Sequence, residues 1–301
     1  MNRRLFVATV VVSALVLANV VSCRIRGIVG SDLLPGGGMA ASLDESVSGL
    51  LRTGSDEGIT DTTGREIVCW GDSMTEGMGA SEAMIDTDDG YFDARNLSYP
   101  DVLQRLTGIR TLNYGVSGAT SEEIAIMQGA LEPNDDLESY DALNPLVAEA
   151  AREHKGDVLV LEIGSNGGWD GDYDTLIAQY DAMIAYAECE GFIVIGDTDD
   201  PGTSIGDTYQ QRVDYLGTND TAWEAALRAA YGDRFLNMRV FLIENGLELA
   251  GFEVSPDDEE AAAQGCISTQ LRADWTHLNS YGYYAKAVAV YQQGLQLGYW
   301  D

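Results

Sequence analysis

The run Asp157-Val158-Leu159-Val160-Leu161-Glu162-Ile163 constrains the fold more than any other stretch of the chain. Its apolar residues are consecutive rather than alternating, so a strand built from them needs cover on both faces. A parallel sheet held between layers of helix provides that cover. Ile67 to Trp70, Thr111 to Tyr114, Phe192 to Gly196 and Phe235 to Met238 read as further short strands. Helix-start signals lie between them. One opens over Ser98–Asp101, with Ser98 or Tyr99 near the N-cap and Pro100 in the first turn, and another at Ser121, with Glu122 and Glu123 where the helix dipole favours acids. Leu146–His154, Tyr173–Cys189, Thr221–Tyr231, Val240–Leu249, Asp257–Gln264 and Ser280–Leu297 also read as helical. The spacing in the second of these puts Leu176, Ile177, Tyr180, Met183, Ile184 and Ala187 on one face. Ser81–Asn96, acidic and aromatic, reads as a loop over the active-site side. The alternation implies an α/β domain whose ligands bind beyond the carboxyl ends of its strands.

At the N-terminus, Arg3 and Arg4 precede an apolar run from Leu5 to Val21, a basic segment followed by a hydrophobic one. The run is a little shorter than the ~20 residues that span a bilayer comfortably. It ends in Val20-Val21-Ser22-Cys23, which resembles a bacterial lipobox, and Cys23 would then carry the lipid. An uncleaved signal anchor, with Arg24 and Arg26 directly after it, and ordinary secretion are the alternatives. All three place the following domain outside the cytoplasm, and the first two give it the membrane as a partner. Residues 24–64 are rich in Gly, Ser, Asp and Thr and read as a flexible linker. The expected organisation is therefore leader or anchor over 1–23, linker over 24–64 and one domain over 65–301.

Lys and Arg number 17 against 49 Asp and Glu, a formal charge of −32. Nucleic acid is a poor partner for such a chain, and anionic substrates are disfavoured by general repulsion. The acidic clusters Asp86–Asp89 and Asp197–Asp200 lack the spacing of a dedicated calcium loop, and no metal is expected. Cys69, inside a strand, reads as a small buried hydrophobe. Cys189 and Cys266 are a pair that an oxidising exterior would allow to join.

The segment Cys69-Trp70-Gly71-Asp72-Ser73-Met74-Thr75-Glu76-Gly77 reads as a buried strand ending in a sharp turn that lifts the Ser73 hydroxyl clear of the sheet edge. A serine hydroxyl is a weak nucleophile until it has a base and an oxyanion site. The chain holds 2 histidines. His154, in Arg152-Glu153-His154-Lys155-Gly156, sits at a polar helix end and reads as a solvated histidine near a helix C-terminus. His277 lies in Asp274-Trp275-Thr276-His277, where an aspartate three residues earlier can accept the imidazole N–H and fix its tautomer. The Ser73 turn and the loops of Gly118 and Asn166 each follow a strand and should meet on one rim.

Gly71-Asp72-Ser73-Met74, Gly118 within Asn113-Tyr114-Gly115-Val116-Ser117-Gly118-Ala119-Thr120, Asn166, and Asp274-Trp275-Thr276-His277 resemble, in order, the four blocks of the SGNH (GDSL-type) hydrolases. The resemblance covers about residues 65–298. It implies a three-layer α/β/α sandwich with a flavodoxin-like parallel sheet of about five strands. It also implies an esterase or lipase-type activity without metal or cofactor. Ser73 would be the nucleophile, His277 the general base and acid, and Asp274 the residue that orients His277. The N–H groups of Ser73 and Gly118 and the Asn166 amide would form the oxyanion hole. Met74 stands where the family usually has Leu, a volume-conserving change, and Gly167 where it typically has Asp. Gly167 and Trp169 are thus candidates for substrate contact, and so is Trp275. The two indoles read either as platforms for a sugar ring or acyl chain or as packing against the site wall. The expected reaction is hydrolysis of a carboxylic ester through an acyl-serine, with a short acyl group on a carbohydrate as substrate. A lysophospholipid or other lipid ester and acyl transfer are alternatives on the same fold. A surface binding module without turnover is the alternative of another class, and the intact Ser73, Asp274 and His277 argue against it.

Overall fold

A computed structural model describes residues 64–81, 83–87, 90–133, 148–149, 151, 153–198 and 217–301. The leader, Cys23 and the linker lie outside the described residues, as do parts of the helix expected at Leu146–His154 and of both acidic clusters. Among the described residues no helix is long and apolar enough to cross a membrane.

The strands are β1 (Glu66–Gly71), β2 (Met84–Thr87), β3 (Gly90–Asp93), β4 (Arg110–Gly115), β5 (Val158–Glu162), β6 (Gly191–Ile195) and β7 (Phe235–Leu236). The α-helices are α1 (Ser73–Glu76), α2 (Tyr99–Thr107), α3 (Ser121–Gln128), α4 (Tyr173–Ala187), α5 (Ala222–Tyr231), α6 (Met238–Leu249), α7 (Pro256–Ala263) and α8 (Ser280–Leu297). Five strands form one sheet in the order β4-β1-β5-β6-β7, with every pairing parallel. The register sets Cys69 of β1 opposite Asn113 of β4 and Val160 of β5. This is the flavodoxin-like order, whose direction of growth reverses between β1 and β5 and opens a crevice there.

Every residue of β5 is buried, Val158–Leu161 as their apolar run requires and the closing Glu162 with its carboxylate on Lys286 of α8. On one face of the sheet Val68, Trp70, Leu159, Leu161 and Val194 pack in a core with Ile124 and Met127 of α3, Leu176, Tyr180 and Met183 of α4, and Trp223 and Leu227 of α5. On the other, α8 is buried along most of its length and packs against α2, α6 and the β6–β7 edge. Each such buried aliphatic side chain contributes roughly 1.5–3 kcal/mol, so the two cores set the sheet's position firmly.

The segment expected as a loop at Ser81–Asn96 contains instead an antiparallel hairpin of β2 and β3, with Ile85 opposite Phe92. Both side chains are buried, and the Phe92 ring lies 5.0 Å from Tyr284 of α8. Two inward residues are too few to show a strand period in the sequence, and packing on α8 supplies the rest.

Candidate active site

β1 ends at Gly71, where a Cβ would fall 2.1 Å from Thr75 Oγ1 and 2.6 Å from Glu162 O. Only glycine lets the chain turn back so close over β5. Asp72 then caps α1, its Oδ1 accepting the Met74 N–H at 2.9 Å. Ser73 is the first residue of that short helix, at the carboxyl end of the sheet.

The histidine arrives from the far end of the chain. Between a bridge of Arg272 with Leu278, the Asp274–His277 loop is closed by the Ala273 N–H donating to His277 O at 2.9 Å. Arg272 clasps the loop from below, donating to Thr276 O at 2.9 Å and to Thr198 O, beyond β6, at 2.8 Å. Asp274 Oδ1 accepts the N–H groups of Thr276 (2.9 Å) and His277 (2.7 Å), and Oδ2 lies 2.8 Å from His277 Nδ1. Desolvation acts to raise the Asp274 carboxyl. The hydrogen bonds from the His277 N–H and ring and from the Thr276 N–H outweigh it and hold the acid at about 2. With Nδ1 donating to this carboxylate, Nε2 is left to accept, and it lies 3.1 Å from Ser73 Oγ.

Gly118 follows β4 in a turn closed by the Ala119 N–H donating to Val116 O at 3.1 Å, and its φ of +78° is the left-handed conformation that glycine adopts without strain. Neither the Ser73 nor the Gly118 N–H has a protein acceptor among the described residues. Asn166 follows β5. Its loop is stapled by the Tyr180 hydroxyl, which accepts from Ile163 N at 3.0 Å and donates to Ile163 O at 3.1 Å, and by Ser165 Oγ donating to Asp197 Oδ1 at 3.0 Å. The Asn166 amide donates to Asp72 Oδ2 at 3.3 Å and to Ala119 O at 3.2 Å. Asp72 thus ties the Asn166 loop to the Ser73 turn. Burial first, and then the neighbouring Glu162, push its carboxyl up to about 7.

A serine, a carboxylate-held imidazole, two unpartnered N–H groups and an amide therefore converge from four loops on one rim. The family model for the GDSL-like lipase/acylhydrolase family matches residues 69–285, well over half of the chain. The chain belongs to this family. It is accordingly a serine hydrolase acting on ester bonds, as the four sequence blocks led one to expect. No curated protein is similar enough in sequence to count as a match. Among solved structures, a lipolytic protein of the G-D-S-L family from Desulfitobacterium hafniense is 17% identical, with a TM-score of 0.44 over 76% of this chain and 99% of that one. The carbohydrate esterase family 2 enzyme with a carbohydrate-binding domain from Corynascus thermopiles (Myceliophthora fergusii) is 14% identical, with a TM-score of 0.45 over 78% and 67%. The salicylyl-acyltransferase SsfX3 of a tetracycline biosynthetic pathway is 14% identical, with a TM-score of 0.42 over 79% and 56%.

Other residues singled out in the sequence fall elsewhere in this GDSL-family domain. Trp169 is no substrate platform. It is 1% exposed, its ring 5.1 Å from Trp223, and its indole N–H donates to Gly164 O at 2.8 Å. An apolar ring with a satisfied N–H is core here. Gly167 has its carbonyl engaged by the Ser121 N–H and hydroxyl, each at 3.0 Å, so its visible work is to join the Asn166 loop to α3. Trp275 is 60% exposed beside His277 and is the one of the two indoles open to a substrate. His154 lies at the opposite end of β1, 2.9 Å from Glu66 Oε2. Cys69 and Cys189 are free thiols, so the Cys189–Cys266 pairing an oxidising exterior would allow is not made. Sequence reasoning passed over Asp72, Arg272 and Glu76. The only signal for Glu76 was its place one helical turn after Ser73.

Proposed function

We propose that this protein hydrolyses an acetyl or short-acyl ester on a neutral carbohydrate, outside the cytoplasm, through an acyl-Ser73 intermediate. The observation that carries the reading is the unbroken chain from Asp274 through His277 to Ser73, at 2.8 and 3.1 Å. His277 Nε2 takes the Ser73 proton as Oγ bonds to the ester carbonyl carbon. The resulting oxyanion takes the Ser73 and Gly118 N–H groups and draws one Asn166 proton from its long bonds, which exceed the usual ~2.9–3.0 Å. His277 then gives its proton to the leaving alcohol. Water, deprotonated by the same nitrogen, releases the acid. The exposed Trp275 indole supplies a flat apolar face suited to a pyranose ring. The acidic exterior and the lipobox-like segment at Cys23 support a neutral substrate and a surface location.

The test is turnover of p-nitrophenyl acetate, butyrate and octanoate by the full chain beside Ser73→Ala, with fluorophosphonate labelling. Ser73-dependent turnover that falls with chain length supports the short-acyl reading, and a preference for octanoate moves the substrate to lipid esters. With neither turnover nor labelling, the chain would be a binding module. Incorporation of labelled palmitate that disappears in Cys23→Ala supports the anchored location.

A further inference from the structure

The turn carrying Gly118 is held to the nucleophile's own helix by one side chain. Glu76, the last residue of α1, stands one turn after Ser73. Its Oε2 accepts the Ser117 N–H at 2.8 Å and the Ser117 hydroxyl as well. Its backbone carbonyl accepts from Asn113 Nδ2 at 3.4 Å, and a Cβ at Gly115 would fall 2.0 Å from its backbone nitrogen. The end of α1 and the end of β4 are therefore pressed together, with Glu76 reaching past the contact to the turn beyond.

Apart from its own closing bond, the Ala119 N–H donating to Val116 O at 3.1 Å, that turn has few other anchors. Beyond its chain neighbours, no atom lies within 4 Å of where a Gly118 Cβ would stand, so nothing packs against the turn on that side. The Val116 N–H donating to Gly71 O at 3.0 Å fixes the chain before Ser117, and Asn166 donating to Ala119 O at 3.2 Å fixes it after Gly118. Glu76 supplies the remaining anchor, at the residue whose carbonyl carbon bears the Gly118 nitrogen. Two donors from one serine onto one carboxylate oxygen define that residue's orientation as well as its position, and charge-assisted bonds of this kind are the stronger ones.

We infer that Glu76 is a positioning residue that aims the Gly118 N–H at the oxyanion formed on the Ser73 acyl centre, an inference that rests on the esterase reading of the site. The effect belongs to the transition state, because the carbonyl oxygen needs that donor most when it carries charge. Displacing an aligned group by a fraction of an ångström to about 1 Å lowers rate by up to ~10²-fold. Gln in place of Glu keeps an acceptor oxygen for the Ser117 N–H and gives up the charge.

The test measures kcat and KM of the full chain on p-nitrophenyl acetate for the wild type, Glu76→Ala, Glu76→Gln and Ser117→Ala. The expectation for Glu76→Ala is a fall in kcat of about 10- to 100-fold with KM within about twofold. Glu76→Gln should recover to within about threefold of the wild type, and Ser117→Ala, which keeps the N–H donor, should lose less than Glu76→Ala. A merely structural role would not be rescued by Gln and would show as a lowered unfolding midpoint rather than a kcat-selective loss. Glu76→Ala within twofold of wild-type kcat, or Glu76→Gln as damaged as Glu76→Ala, would overturn the inference and leave the esterase reading standing. Absence of Ser73-dependent turnover in the wild type would overturn both.

Discussion

Asp72 joins two demands that pull in opposite directions. Its carboxyl serves the helix cap and the Asn166 amide at 2.9 and 3.3 Å, yet it is buried near Glu162 and Asp197, whose charges Lys286 opposes only in part. Its pKa of about 7 lies above the 3.8 of a free aspartate, so the folded state holds the proton more tightly than the unfolded one. Stability from this group is therefore full below pH 4 and is lost as pH rises to about 7. Asp72→Asn should remove that slope, gaining on the wild type by a few kcal/mol, on an order-of-magnitude scale, between those limits. Urea unfolding from pH 4 to 8 checks this, and parallel curves for the two proteins would contradict it. The same change leaves one oxygen for two donors, so kcat should fall about tenfold while stability rises, the trade expected where a site is held under electrostatic stress. Asn166→Ala removes the amide itself. It should lower kcat by a factor equivalent to about 3 kcal/mol, with stability little changed, and near-full turnover would end its place in the oxyanion hole. Asp274, held at about 2, stays ionised through ordinary acid, so its hold on the His277 ring and backbone survives acidification.

Between elements, the sheet and α8 are locked by a buried ion pair that the chemistry does not use. Lys286 Nζ donates to both carboxylate oxygens of Glu162 at the end of β5, with the Oε1 contact at 2.6 Å, and lies 4.9 Å over the Tyr99 ring of α2. Burial raises the Glu162 carboxyl and the lysine opposes it. Lys286→Met strands that carboxyl and should lower stability by about 3–5 kcal/mol, while Glu162→Gln with Lys286→Met should restore much of it. A single substitution costing under about 1 kcal/mol would mean that Glu162 simply takes a proton. Neither residue announces the pair in sequence, because they are 124 positions apart. What the sequence does show is whatever one stretch decides alone. β5 declares itself by its apolar run, α4 by the spacing of Leu176, Tyr180 and Met183, and the site by blocks whose residue types the chemistry dictates. The hairpin of β2 and β3 does not, since α8 provides its partner surface. Trp169 and Trp275 look alike in sequence and differ only in which side of a loop faces the core.

At the scale of the molecule, the reversal of strand order between β1 and β5 decides where chemistry can occur, since the Ser73 turn and the Asn166 loop leave the sheet on either side of that crevice. Gly118 joins them from β4, and the His277 loop reaches the same rim from the far end of the chain. The chain carries a formal charge of −32. Such a field slows the approach of anions and leaves neutral molecules alone. It is screened over a Debye length of ~30 Å at 0.01 M salt but only ~3 Å at 1 M. For an anionic ester, such as a p-nitrophenyl hemisuccinate, kcat/KM should rise several-fold between about 0.01 and 0.5 M salt, whereas p-nitrophenyl acetate should change little. The gain belongs in kcat/KM and not in kcat, because repulsion acts on encounter and binding and Ser73, His277 and Asp274 are unchanged once the ester is seated. A salt response equal for both substrates would show that charge acts on the fold or on the imidazole. An anionic ester favoured at low salt would place a local positive field at the rim and turn the choice of substrate away from neutral carbohydrate.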